Sequence, residues 1–237
     1  MKRLLVNGLT VSLILAAPGF GAPKSAQKGQ AVSEGQVSIR IRDYAHANPL
    51  VRQHAEQVAG EILQKAGVAT RWIDCPIGSS GTGACSSPVS TLDFFVNLLP
   101  HSMSDRLHQP GGVLGSAIEG SGSKFGYIAS VFYDVTRESA AERQVDFGEL
   151  LGDAIAHELG HLLLGTNSHS PTGLMSAFWA CDQFRLAAQG LLAFSDAETK
   201  RLHAAINARM LVANGIHPAK DSLWPPITLQ NENFSAS

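Results

Sequence analysis

The sequence predicts an α+β fold whose N-terminal part has an α/β-like order of elements. Three observations lead to this prediction. Five short segments have the apolar patterns of strands, an amphipathic helix separates the first two of them, and two helical segments follow the last. With 237 residues, the chain is long enough for one mid-sized domain with its own core, or at most two small ones.

The first half of the chain is predicted to hold three strands and one helix. "VSIRIRDY" at 37–44 alternates apolar and polar residues, and "VATRWIDC" at 68–75 and "STLDFFVNLLP" at 90–100 are the next two strands. Residues 48–66 have apolar side chains at helical spacing, with Pro49 in the first turn. A right-handed crossover through this helix makes the first two strands parallel neighbours.

The second half is predicted to begin with a loop over 101–112. Two further strands follow it, "VLGSAIEG" at 113–120 and "KFGYIASVFYDV" at 124–135, separated by a small flexible segment. These two segments bring the predicted sheet to about five strands.

Two helices complete the predicted fold. The first is strongly apolar, begins near a capping box formed by Asp146 and Glu149, and stops at Gly165. The second is amphipathic, begins at a capping box of Ser195 with Glu198, and continues to about residue 211. The remaining residues, 212–237, have no periodicity and are predicted to form an irregular tail.

The N-terminus is predicted to be a secretory signal peptide. Lys2 and Arg3 precede an apolar run to Ala17, after which small residues follow. A membrane anchor is the alternative, but the run is interrupted by polar residues and is shorter than the roughly 20 apolar residues that a span needs.

The predicted organisation is a signal peptide and start of a linker at 1–26, a linker at 27–35, a catalytic domain at 36–211 (upper part 36–165, lower part 166–211), and the tail. The mature protein is expected to be secreted or periplasmic, without stable membrane insertion.

Charge and cysteine content limit the possible binding partners and the roles of the three cysteines. Lysine and arginine together number 18 and the acidic residues 20, with no basic run, so nucleic acid has no electrostatic site to bind. In an exported protein, Cys75 and Cys85 can close the short loop between them by a disulfide, leaving Cys181 over, although two other pairings are possible. A catalytic cysteine is an alternative, but none of the three has a neighbouring histidine.

The segment "HELGH" predicts a metal site. His157 and His161 are four residues apart, so on a helix their side chains project from one face and can bind one ion. Glu158 points away from that ion and can reach a water molecule on it. In this H-E-x-x-H arrangement the histidines bind one Zn²⁺, and the glutamate takes a proton from the attacking water. The alternative, a surface helix with solvated histidines, fits poorly because the flanking residues are apolar and unpaired polar groups are costly to bury.

A third ligand is required, because two histidines do not complete a catalytic zinc site. The predicted stop at Gly165 lets the chain fold back, which makes His169 the first candidate. His101, His108 and Asp182 are the alternatives.

The segment "HELGHLLLGTNSHSPTGLM" resembles the metzincins, a clan of zinc-dependent endopeptidases. Their motif is H-E-x-x-H-x-x-G-x-x-H, followed by a methionine in a tight turn beneath the metal. Here the glycine falls one residue later than in the motif, at Gly165, and the third histidine two residues later, at His169. The resemblance implies the zinc ligands His157, His161 and His169, the catalytic residue Glu158, and Met175 in the turn.

The resemblance also implies a metzincin-like zincin fold. That fold has a twisted mixed sheet with a backing helix and an edge strand, followed by an active-site helix, the methionine turn and a C-terminal helix. The predicted elements of residues 36–211 can be read in the same order. An extended peptide would then add to the edge strand by main-chain hydrogen bonds. The tentative substrate-binding residues on that strand are Val113, Leu114, Gly115, Ser116 and Ala117.

The predicted function is that of a secreted zinc-dependent endopeptidase acting on peptides or proteins. Two alternatives remain. One is a zinc-bearing binding module without catalytic activity, which a fourth protein ligand would indicate. The other is a zinc hydrolase that cuts a non-protein amide such as a cell-wall crosslink.

Overall fold

A computed structural model describes most of the chain from Gln36 to Ile216. The described residues are 36–78, 83–106, 112–119, 125–165 and 168–216. Backbone contacts group all of them into one compact unit. The predicted signal peptide, the linker and all of the predicted tail beyond residue 216 lie outside the described residues, as does His108.

The strands form one five-stranded mixed sheet, as predicted. They are β1 (Val37–Asp43), β2 (Thr70–Asp74), β3 (Asp93–Leu99), β4 (Gly115–Glu119) and β5 (Gly126–Phe132). Their order in the sheet is β2-β1-β3-β5-β4, and only the pairing of β4 with β5 is antiparallel. The predicted parallel pairing of the first two strands is confirmed, and β4 lies at one edge of the sheet.

Six α-helices and one short 3-10 helix, Gly83–Ser86, occur in the described part of the chain. The α-helices are α1 (Pro49–Lys65), α2 (His101–Arg106), α3 (Tyr133–Arg143), α4 (Phe147–Leu164), α5 (Cys181–Ala187) and α6 (Asp196–Ala213). The predicted helices correspond to α1, α4 and α6, so the α+β fold class is confirmed. Among the residues described, no helix combines the length and apolar character needed to cross a membrane.

Two predictions for the middle of the chain were wrong. The predicted loop at 101–112 begins with α2, and the predicted strand at 124–135 ends at Phe132, where α3 begins. Contacts distant in sequence explain α2, since the His101 backbone N–H donates to Asp134 Oδ2 at 2.8 Å. At the start of α3, the Thr136 hydroxyl donates to the Phe132 carbonyl oxygen at 2.9 Å. The short helix α5 was not predicted either.

The capping predictions were correct in part. Ser195 and Glu198 form the full capping box at the start of α6. At the start of α4, Asp146 accepts the backbone N–H of Glu149 at 3.0 Å. The Glu149 carboxylate does not complete the box; one of its oxygens lies 3.8 Å from His54 Nε2 on α1. One half of the predicted box is therefore formed.

Helices α1 and α4 pack closely on the buried face of the sheet. A Cβ atom added at Gly152 would lie 2.6 Å from Val58 Cβ and 2.8 Å from the Ala55 carbonyl oxygen. Such distances are shorter than ordinary van der Waals contact, so the helices can approach this closely only with glycine at this position. This contact holds α1 and α4 together on that face.

On the other face of the sheet, a side chain of β1 forms an ion pair and hydrogen bonds with the segment that leads into β3. Arg40 forms a buried ion pair with Asp93 at 3.1 Å and donates to the Cys85 and Ser87 carbonyl oxygens. The structure joins Cys75 to Cys85 by a disulfide, whereas Cys181 is a free, exposed thiol.

Helix α6 is attached to the rest of the domain through a buried arginine. Arg209 donates to the carbonyl oxygens of Thr91, Gly126 and Leu162, at 2.9, 2.9 and 2.7 Å. Its guanidinium lies over three rings, those of Phe94, Phe125 and Tyr127. A second arginine, Arg201, donates to the Leu164 carbonyl oxygen at 3.1 Å. Helix α6 therefore satisfies two of the last carbonyl groups of α4, which a helix end leaves without intrahelical partners.

Asp153 is a buried carboxyl group in the middle of α4, and it should make stability depend on pH. Burial raises its pKa from 3.8 to about 8, with a smaller contribution from the charge of Glu149 and an opposing one from Lys65. Between these two pH values the folded chain holds a proton that the unfolded chain releases. The free energy of unfolding therefore falls as pH rises from about 4 to 8, by at most about 1.4 kcal/mol per pH unit for this group.

Denaturant unfolding of the metal-free protein at several pH values tests this expectation. Asp153→Asn replaces the carboxyl group with an amide that does not titrate, so its stability should fall less between pH 4 and 8 than that of the wild type. Parallel pH profiles for the two proteins would show that Asp153 is not protonated in the folded chain.

Candidate metal centre

Helix α4 presents the two histidines of "HELGH" side by side. His157 Nε2 and His161 Nε2 are 3.0 Å apart. The helix ends at Gly165, whose φ of 86° suits a residue without a Cβ. After this stop the chain returns towards the helix, and the ring of His169 lies 4.6 Å from that of His161, centroid to centroid.

The three histidines form one cluster. One ring nitrogen from each of His157, His161 and His169 lies within 4.8 Å of the other two. Among the residues described, this is the one group of three histidine, cysteine or acidic residues close enough to share an ion, and it includes neither His101 nor Asp182. The structure thus brings together the three residues that the sequence singled out.

Burial keeps the two inner histidines neutral. It lowers the pKa of His157 to about 4 and, with the neighbouring histidines, that of His161 to about 3. Burial also lowers the pKa of His169. Because a histidine binds a metal through an unprotonated nitrogen, these shifts favour the ligand form at neutral pH.

Hydrogen bonds outside the cluster orient the same two rings. His157 Nδ1 donates to the Leu174 carbonyl oxygen at 2.7 Å, and His161 Nδ1 lies 2.9 Å from Ser168 Oγ. The indole N–H of Trp179 donates to the same Leu174 oxygen at 3.3 Å, and its ring meets that of His157 edge to face. Bonds of this kind fix the orientation of ligating histidines.

Glu158 is a buried carboxyl group beside the cluster. Only 5% of the residue is exposed, and its Oε2 atom has no hydrogen-bond partner among the described residues. Burial raises the pKa of Glu158 to about 8. Burying a carboxyl oxygen without a hydrogen-bond partner is costly, and a nearby positive charge or a bound polar molecule would offset that cost.

Edge strand β4 lies directly against Glu158. A Cβ atom added at Gly115 would lie 2.7 Å from both Cγ and Oε1 of that side chain. Glycine at position 115 therefore allows the carboxyl group to lie against the backbone of the strand.

Gly115→Ala should displace the Glu158 carboxyl group without touching the histidines. Since misplacing a reacting group by about 1 Å can cost 100-fold, any reaction that uses this carboxyl group should slow by about 10- to 100-fold, with the metal content of the protein unchanged. Gly60→Ala on α1 is a matched control, because its added Cβ would lie 3.4 Å from its nearest neighbours, an ordinary contact. Equal activity in both variants would mean that the fit of Glu158 against β4 is unimportant.

Met175 lies beneath the helix in a tight turn. Gly173 has a φ of 79°, and the Ser170 backbone N–H donates to the Met175 carbonyl oxygen at 2.8 Å. The Met175 side chain is fully buried, and a Cβ atom added at Gly160 would lie 2.5 Å from its sulfur. Met175 therefore packs under the middle of the "HELGH" segment.

A cavity of about 760 Å³ opens beside the cluster. Residues 113–117, predicted as the substrate-binding strand, line one side of it, and Leu162, Trp179 and Phe184 are among the apolar residues that line the rest. His157, Glu158, His161 and His169 also border the cavity. The cavity is mostly apolar with a few polar groups together at one place, as is usual in binding sites.

Sequence reasoning missed Ser168 and Trp179, which contact the histidine cluster from outside. Ser168 directly precedes a candidate ligand, but serine in a loop gives no specific signal. Trp179 has no periodic relation to the motif. Only the folded chain shows that each contributes to the orientation of a ring.

The residues fit zinc. Three neutral imidazoles and no thiolate form a donor set suited to Zn²⁺, and three protein ligands are the usual number in a catalytic zinc site. The buried, unpaired Glu158 carboxyl next to them fits a nearby cation, which would favour its charged form.

No protein-family model matches the sequence, and no curated protein matches it either. Among solved structures, the chain is similar to the crystal structure of archaemetzincin from Methanopyrus kandleri, with 14% identity and a TM-score of 0.44. The alignment covers 73% of this chain and 96% of that one. A similarity this slight adds nothing to the interpretation of the site.

Proposed function

We propose that the chain is a zinc-dependent endopeptidase of the metzincin type. The observation that carries this proposal is the buried, unpaired carboxyl group of Glu158 beside three clustered histidines, all at the wall of one cavity. The buried Met175 turn under α4 and the edge strand β4 beside Glu158 support the metzincin assignment, since the motif resemblance implies both.

In this proposal His157, His161 and His169 hold one Zn²⁺. When bound, the ion would acidify a water molecule and polarise the carbonyl group of the substrate. Glu158 accepts a proton from the attacking water molecule, whose oxygen bonds to the carbonyl carbon of the substrate. Glu158 then delivers this proton to the amine, which leaves as the C–N bond breaks. The apolar residues of the cavity wall lower the local dielectric constant, and so strengthen these electrostatic interactions.

The substrate is proposed to be an extended peptide segment. Residues 113–117 border the cavity along β4, the edge strand of the sheet. An unpaired strand edge can form main-chain hydrogen bonds with an added strand. Peptide binding along β4 would place a peptide bond beside Glu158, because Gly115 is in contact with that side chain.

We also propose that the mature protein acts outside the cytoplasm. Support comes from the N-terminal sequence pattern and from the Cys75–Cys85 disulfide, a bond that persists in oxidising compartments.

The number of ligands favours catalysis over a purely structural zinc site. Structural zinc sites normally have four protein ligands, whereas the cluster among the described residues contains three. An inactive binding module and a hydrolase of non-protein amides remain outcomes that an experiment can separate.

Digestion of a peptide library by the purified protein tests the proposal. We expect internal peptide bonds to be cut, activity to disappear after removal of metal by a chelator, and activity to return with stoichiometric zinc. Zinc uptake without cleavage of any peptide would instead indicate a binding module or a hydrolase of another amide. Failure to take up zinc would exclude all three.

A further inference from the structure

The two inner histidines differ in what lies against their Nδ1 atoms. The Leu174 carbonyl oxygen, 2.7 Å from His157 Nδ1, can only accept a hydrogen bond. His157 therefore carries its proton on Nδ1 and a lone pair on Nε2. The Ser168 hydroxyl, 2.9 Å from His161 Nδ1, can either donate or accept.

The distance of 3.0 Å between the two Nε2 atoms then determines the tautomer of His161 when no cation lies between them. Because His157 Nε2 carries a lone pair, a hydrogen bond across this gap requires the proton on His161 Nε2. Ser168 must in that case donate its O–H to His161 Nδ1.

A cation requires the opposite arrangement. Both Nε2 lone pairs must face the ion, so the single proton of the neutral His161 ring must be on Nδ1. The Ser168 oxygen must then accept a hydrogen bond from that nitrogen. A main-chain carbonyl in the place of Ser168 could serve only this second tautomer, and an alanine could serve neither.

We propose that Ser168 is a positioning residue, whose hydroxyl changes from donor to acceptor when zinc binds and so fixes His161 in the tautomer that binds metal. This inference rests on the proposed function, in that it requires zinc at this cluster. Ser168 acts through His161 and is not itself assigned a contact with the substrate or the ion.

The surroundings of Ser168 support this role. The residue is only 2% exposed, so bulk water is poorly placed to replace its hydroxyl group. Ser168 lies in the loop that is two residues longer here than in the metzincin motif, directly before His169. The longer loop therefore supplies a partner for His161 as well as the candidate third ligand.

Zinc affinity measured by titration against a chromophoric chelator tests the inference in the full chain. Ser168→Ala removes one oxygen and adds no volume. We expect it to weaken zinc binding by about 10- to 100-fold, the usual effect of losing a hydrogen bond to a ligating histidine. Ser170→Ala is the matched control. The Ser170 hydroxyl lies in the same loop but donates to the Thr172 carbonyl oxygen, so its removal should leave zinc affinity unchanged. Ser168→Thr keeps the hydroxyl and should bind zinc as the wild type does.

Nitrogen NMR of the histidine rings gives a second readout that a merely structural role would not affect. In the wild type, the proton of His161 should be on Nε2 without metal and on Nδ1 with zinc. The inference would be overturned by one tautomer in both states, by wild-type zinc affinity in Ser168→Ala, or by affinity as weak in Ser168→Thr as in Ser168→Ala. If the wild type takes up no zinc at all, the proposed function fails with it, so the two failures are distinguishable.

Discussion

Glu158→Gln should lose nearly all peptidase activity while keeping its zinc. The amide has nearly the shape of the carboxyl group but cannot accept a proton as a base, and general acid–base catalysis typically contributes 10²- to 10⁴-fold. We therefore expect kcat to fall by about 10²- to 10⁴-fold with KM little changed. Steady-state kinetics on a cleaved peptide, together with elemental analysis for zinc, measure both quantities.

Glu149→Gln is a suitable control for this variant. Glu149 lies on the same helix, its pKa is also raised by burial, and it is not among the residues that line the cavity. Its replacement should leave kcat unchanged. Near-normal turnover in Glu158→Gln would show that another group is the base, and loss of zinc from it would show that the side chain acts on the metal site instead.

His169→Ala should release the metal and abolish activity. The ring of His169 lies 5.6 Å from that of His157 and 4.6 Å from that of His161, so the alanine variant would leave only two of the three clustered histidines. We expect zinc affinity to fall by more than about 100-fold, beyond the usual effect of losing only an outer hydrogen bond. Zinc content after dialysis, followed by titration with zinc, would measure the change.

His101→Ala provides the matched comparison. His101 is an exposed histidine that the sequence left open as a ligand, but it is not part of the histidine cluster. Its replacement should preserve one zinc per chain and normal peptidase activity. If His169→Ala retained zinc and His101→Ala lost it, the assignment of the third ligand would be wrong.

Local patterns account for most of the correct predictions. The limits of α1, α4 and α6 follow from apolar periodicity and from residues such as Asn48, Gly165 and Ser195, which act within one turn of the helix end. The wrong predictions fall on short elements. Helix α2 is stabilised by Asp134, which is distant in sequence, and a six-residue segment is too short to show helical periodicity.

The amino-acid sequence by itself determined which side chains could bind a metal ion and which could activate a water molecule. These are two histidines and a glutamate on one helix, with a third histidine just beyond the glycine that ends it. Helix geometry and a tight reversal are local, so residue type and spacing suffice to specify them. The tertiary structure alone decided the chemical state of these groups. Burial beneath other segments makes the histidines neutral and raises the pKa of Glu158, while the positions of Leu174, Ser168 and Gly115 orient the side chains. Desolvation and hydrogen-bond direction depend on which distant residues surround a side chain, and no local pattern contains that information.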